Sequence, residues 1–170
     1  MQFILTRAHS VSSFAIRARL TARRLAAGDR ITEQWSHAAS LLMFDPSEVV
    51  DTTFMLGGVV RRSLAEVVRP ASAQLVVDCP LPNEGAATAF LLDQLGKDYD
   101  WRSGWGFAIG NAAWYDPSDW FCFELVAAQM RAGGLRLPFM ENLERVTAVD
   151  LLRAAHTARQ LAGALRGAAP

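Results

Sequence analysis

The chain has 170 residues, enough for one domain with a full hydrophobic core and no dependence on disulfide staples. Hydrophobic residues make up 51%, charged residues 20%, and the 17 basic and 17 acidic side chains cancel to a formal net charge of +0. That balance supplies no global field toward nucleic acid or an acidic membrane surface, and no run reaches the ~18 apolar residues of an integral membrane segment.

Of the basic residues only Lys97 is a lysine, which reads with the abundant alanine as compositional bias rather than chemistry. The two cysteines, Cys79 and Cys122, make no disulfide framework. Phe3-Ile4-Leu5, closed off by Arg7, is too short for a secretory h-region. The expectation is a cytoplasmic protein, with export by a dedicated secretion system as the alternative.

Residues 2–6 are predicted as a short strand. Ser12 and Ser13 are predicted to cap a helix running to about Ala27, ended by Gly28-Asp29, with Arg17, Arg19, Arg23 and Arg24 on a solvated face. His37 to Phe44 reads as a buried strand, Asp45-Pro46-Ser47 as a turn, and Glu48 to Phe54 as the returning strand. Gly57-Gly58 breaks it, and Val59-Val60 and Ala73 to Asp78 are further strands. Pro80 and Pro82 mark a loop, and Glu84 to Leu95 is a helix closed by Gly96.

Residues 97–119 carry no clear period but many aromatics, among them Tyr99, Trp101, Trp105, Trp114 and Tyr115. Such a stretch either lines a cleft or packs a core edge. Asp116-Pro117-Ser118-Asp119 is a helix start, with a polar cap and proline in the first turn. That helix is predicted to reach about Ala132 and stop at Gly133-Gly134. A last helix spans about 147–165. No repeat or linker divides the chain, so residues 1–170 are read as a single domain.

Two short segments carry the chemistry: Trp35-Ser36-His37 and, with the cysteine 85 positions after the histidine, Trp120-Phe121-Cys122-Phe123-Glu124. Cysteine is a strong nucleophile as thiolate, and an imidazole can take its proton. Cys122 falls in the first turns of the helix after the Asp116 cap, where backbone dipoles favour an anion and unpaired amides can hold an oxyanion. The plain alternative is a small buried hydrophobe between Phe121 and Phe123. If the hairpin turns about Pro46, Asp51 has the parity of His37 and shares its face, although contact requires a bulge or strong twist. Thr53 shares that face and is the other candidate to orient the imidazole. Cys79, in Asp78-Cys79-Pro80, reads as structural, and His9 and His156 have no suitable neighbours. Neither CxxC nor HExxH occurs, and no glycine-rich phosphate loop follows a strand, so no metal and no cofactor is expected.

Trp35-Ser36-His37 with its hydrophobic hairpin, then Gly96-Lys97-Asp98-Tyr99-Asp100-Trp101, then Trp120-Phe121-Cys122-Phe123-Glu124-Leu125-Val126, resembles the permuted papain-like NlpC/P60 superfamily. Within it lie the YiiX/YaeF-type amidases, with lecithin retinol acyltransferase-like proteins as distant relatives. Leu5-Thr6-Arg7 and the segment from Ser13 to Arg17 are similar to its N-terminal part, so the likeness spans most of residues 3–150. It implies an α+β, circularly permuted papain-like fold, with an antiparallel sheet packed against helices and the histidine strand ahead of the cysteine helix. It also implies Cys122 as nucleophile, His37 as base and Asp51 as third polar residue, where relatives often have glutamate. Tyr99 would lie near the cleft, and Trp35, Trp120 and Phe123 complete the expected substrate contacts. Three departures stand out: a longer stretch from Ile16 to Trp35, Phe123 in place of a small serine, and the shorter Asp51.

The resulting expectation is a cysteine hydrolase cleaving a peptide-like, cell-wall type amide bond through a thioester. An acyl-lipid hydrolase or acyltransferase on the same site, or a non-catalytic binding module on the same scaffold, are the alternatives. A third class, a redox thiol protein, requires Cys79 and Cys122 within disulfide reach.

Overall fold

The computed structural model describes residues 1–26, 28–100, 119–143 and 146–167. The predicted aromatics Trp101, Trp105, Trp114 and Tyr115, and the cap Asp116-Pro117-Ser118, lie outside them. The fold is α+β: one five-stranded antiparallel sheet with several helices. In chain order the elements are β1 (Gln2–Ala8), α1 (Val11–Ala26), β2 (His37–Leu42), β3 (Asp45–Thr53), a 3₁₀ turn (Phe54–Leu56) and β4 (Gly58–Ser63). There follow α2 (Leu64–Val68), β5 (Ala71–Asp78), α3 (Glu84–Asp93), α4 (Cys122–Ala132), a 3₁₀ turn (Pro138–Met140) and α5 (Ala148–Gly167). Strand order is β4-β3-β2-β1-β5, every pair antiparallel. Among the described residues no helix is long and apolar enough to cross a membrane.

Strand alternation sorts the side chains onto two faces. Phe3, Leu5, Ala38 and Val77 pack with Cys122, Phe123, Val126, Ala127 and Met130 of α4 and with Leu151, Ala154, Ala155 and Ala158 of α5. Ile4, Ala39, Leu41 and Val49 point the other way, onto Val67 of α2. Both faces of β1 and β2 are thus covered, which is why Phe3 to Leu5 and much of His37 to Leu42 read as apolar. The helix α4 is buried without a break from Cys122 to Met130, as a helix between a sheet and another helix must be. Its alanines at 127 and 128 and those of α5 keep the layers close. The Ser40 hydroxyl donates to Gln129 Oε1 at 2.6 Å in this interior, tying α4 to β2 along its length.

Several predicted boundaries move. The first helix is capped by Ser10, whose Oγ accepts from the Ser13 amide at 3.1 Å, not by Ser12 or Ser13. Ser13 is buried and pairs with the Ser36 hydroxyl at 2.6 Å. Arg24, predicted on a solvated face, is only 7% exposed. Its guanidinium meets Asp29 Oδ2 at 2.5 Å, Thr147 Oγ1 at 2.7 Å, Asp150 Oδ1 at 3.3 Å and Glu33 Oε1 at 3.5 Å, pinning α1 and the 29–33 segment to the start of α5. The hairpin between β2 and β3 turns at Met43-Phe44 rather than at Asp45-Pro46-Ser47, which already belongs to β3. The helix α2 was not predicted, although Ser63 and Glu66 form a capping box in which each side chain accepts from the other's backbone amide. The cysteine helix begins at Cys122 itself, later than the Asp116 cap implied, and ends before Gly133-Gly134 as predicted.

Gly58 threads the remaining segment into place. A Cβ there would lie 2.2 Å from the Lys97 carbonyl oxygen. With only hydrogen at that point, Val59 N donates to Lys97 O at 2.8 Å and Gly96 N to Val59 O at 2.9 Å. Asp98 then bridges Gly58, and Tyr99 bridges Trp120 just ahead of α4.

Candidate active site

His37 is the first residue of β2, paired with Thr6 of β1. The residue before it is anchored on the same strand, Ser36 N donating to Thr6 O at 3.1 Å. In β3 the register Ser40↔Val50 and Leu41↔Val49 shifts at Leu41/Leu42. The early turn and this bulge replace the symmetric hairpin and bring Asp51 diagonal to His37 on one face. His37 Nε2 and Asp51 Oδ1 are 2.6 Å apart. Asp51 is 1% exposed and the imidazole 20%. Thr53, the other candidate partner, accepts from the Leu56 amide at 3.3 Å and caps the 3₁₀ turn instead. The second oxygen of Asp51, Oδ2, takes Arg62 Nη1 at 3.4 Å, a partner the sequence reading missed. Only its parity on β4 hinted at it: Arg62 pairs with Val49, two residues from Asp51.

Cys122 is the first residue of α4. Phe121 precedes it in extended conformation and has no side-chain group able to cap the helix, while its own amide donates to Glu124 Oε2 at 3.2 Å. The first amides of any helix lack intrahelical acceptors, which puts those of Cys122 and Phe123 at the positive dipole end of α4. The helix start is fixed from two directions. Thr52 Oγ1 donates to Trp120 O at 3.3 Å, Trp120 N to Asp98 O at 3.1 Å, and Asp100 N to Trp120 O at 3.2 Å.

Cys122 lies near enough to the His37 ring for its charge to act on the imidazole. With Nε2 committed to Asp51, Nδ1 is the nitrogen left for sulfur. Burial opposes a charged imidazolium, but the anions of Asp51 and Cys122 outweigh it and lift His37 from its ordinary 6.5 to about 10. An imidazolium that keeps its proton so far into alkali is a standing counter-ion for a thiolate. Tyr99 sits beside Cys122, its ring 6.1 Å from that of Phe121. Burial first, then the Cys122 and Glu124 charges, push its phenol up, so it remains a neutral hydroxyl.

Of the other expected contacts, Trp35 is half-buried against the core beside the site. Trp120 and Phe123 are buried. The Trp120 indole donates to Gln94 Oε1 at 3.1 Å and stands edge-on to Phe90, and Phe123 is fully buried, edge-on to Phe121. Both cysteines are free. Cys79 is fully buried under β5, and burial pushes its thiol up to about 11, the mark of an inert packed sulfur. Among the described residues no group of three His, Cys, Asp or Glu side chains could hold a metal ion. Comparison of the chain with protein-family models, with curated proteins and with solved structures found no match.

Proposed function

We propose that this chain is a cysteine hydrolase of the permuted papain-like NlpC/P60 type, acting on an amide bond. The observation that carries the reading is the group Cys122, His37 and Asp51. It comprises a thiol at a helix start, an imidazole on which its charge acts, and a buried carboxylate 2.6 Å from the Nε2 of that ring. Asp51 holds the ring orientation and stabilises its cation, and the cation stabilises the thiolate. In the first half-reaction the Cys122 sulfur attacks the carbonyl carbon, and the resulting oxyanion is received by the amides at the start of α4. The carbon–nitrogen bond breaks as the imidazolium passes its proton to the leaving amine, giving a thioester and a neutral His37. In the second half-reaction His37 takes a proton from water, and hydroxide displaces the thiolate. The carboxylic acid leaves, and the imidazolium–thiolate pair is restored. The resemblance in sequence points to peptide-like cell-wall amides as the first substrate class.

A second reading, a binding module with a packed thiol, is favoured by one observation: Cys122 is only 3% exposed. A broad electrophilic acyl probe separates the two. The hydrolase should carry the adduct on Cys122 by mass spectrometry, lose it in His37→Ala, and release peptide fragments from purified peptidoglycan. A probe that labels neither protein, with no fragments released, supports the binding module; labelling with release of fatty acid from a lipid instead assigns the site to acyl-lipid chemistry.

A further inference from the structure

We propose that Arg62 is a positioning residue for this site, holding the outer carboxylate oxygen of Asp51 so that the inner one meets His37. The inference rests on the cysteine–imidazole reading above. A carboxylate 1% exposed has no solvent to satisfy its oxygens, and each must find a donor inside the protein. Oδ1 has the imidazole at 2.6 Å, and Oδ2 has Arg62 Nη1 at 3.4 Å. With one donor on each oxygen the carboxyl group is held in rotation about its own bond.

Arg62 is itself half-buried, with its Nε 3.8 Å from Glu66 Oε2, and Glu66 is in turn held by the Ser63 capping box of α2. Charges therefore alternate from α2 to α4: Glu66, Arg62, Asp51, His37, Cys122. The neighbouring Arg61 points to Glu48 and leaves Asp51 to Arg62. A guanidinium is a planar donor suited to a carboxylate oxygen. Two effects of Arg62 oppose each other. It aims Asp51, and across Asp51 it repels the imidazolium. The first is a direct contact and the second acts over the width of a carboxylate, so loss of aim outweighs relief of repulsion.

The test is the alkylation rate of Cys122 by iodoacetamide across the pH range, in wild type, Arg62→Leu, Arg62→Lys, Asp51→Asn and the double variant Arg62→Leu/Asp51→Asn. Arg62→Leu is expected to react about tenfold more slowly near neutral pH, and Arg62→Lys to regain most of that loss. Because Arg62 acts through Asp51, the double variant should be no slower than Asp51→Asn alone. Circular dichroism checks the fold, and Arg62→Gln is the milder substitution if leucine is not tolerated. The inference is overturned if Arg62→Leu or Arg62→Gln reacts like wild type, or if its loss adds fully to that of Asp51→Asn. A wild-type thiol that is slow and indifferent to His37→Ala is a separate outcome, and it removes the underlying cysteine–imidazole reading.

Discussion

Replacing Asp51 by asparagine keeps the side-chain shape and removes one charge from beside His37. Unit charges about 4 Å apart at an effective dielectric constant of about 20 attract by about 4 kcal/mol. At about 1.36 kcal/mol per pH unit this is a change of about three units in proton affinity. His37 keeps its proton to about 10 against the cost of burial because Asp51 and Cys122 both face it. With the carboxylate gone it should titrate back toward its ordinary 6.5, and the thiolate loses its counter-ion near neutrality. Alkylation of Cys122 near neutral pH should then slow by about a hundredfold, converging with wild type in alkali, where any thiol ionises.

The same shift has a sign for stability. A folded-state value raised above the unfolded one contributes stability that is full below 6.5 and is lost as pH rises through about 10. Thermal midpoints of wild type should fall across that window, while those of Asp51→Asn should stay nearly level. Superimposable alkylation profiles, or equally steep loss of stability in both proteins, would refute the argument.

Two further outcomes concern the scaffold. Gly58→Ala places a methyl group 2.2 Å from the Lys97 carbonyl oxygen, a backbone atom that cannot swing aside. It should cost about 1–3 kcal/mol in urea unfolding and displace Tyr99, read as a changed near-ultraviolet spectrum. Arg24→Ala leaves Asp29, Glu33 and Asp150 without their shared cation in a setting where Arg24 is only 7% exposed. Loss of one partner of a buried ion cluster costs about 3–5 kcal/mol, so the urea midpoint should drop sharply, and Arg24→Lys should restore only part of it.

The primary structure by itself determined the elements whose signals are local. The strands were legible in apolar runs bounded by turn residues, while the α+β class with an antiparallel sheet, which the structure has, was what the sequence resemblance implied. The stop of α4 was legible in Gly133-Gly134, and the pairing of His37 with Asp51 in their shared parity. Tertiary structure decided what depends on contacts distant in sequence. The bulge at Leu41/Leu42 converted parity into a hydrogen bond, because register answers to packing on both faces and not to turn residues alone. The start of α4 at Cys122, rather than at the proline-marked cap, is set by Thr52 and Asp98 gripping Trp120. Arg24 turned inward because three acids from the 29–33 segment and α5 converge on it, and arginine enters an interior only where such charges meet it. Arg62 came to Asp51 in the same manner, across two strands whose alignment no window of sequence records.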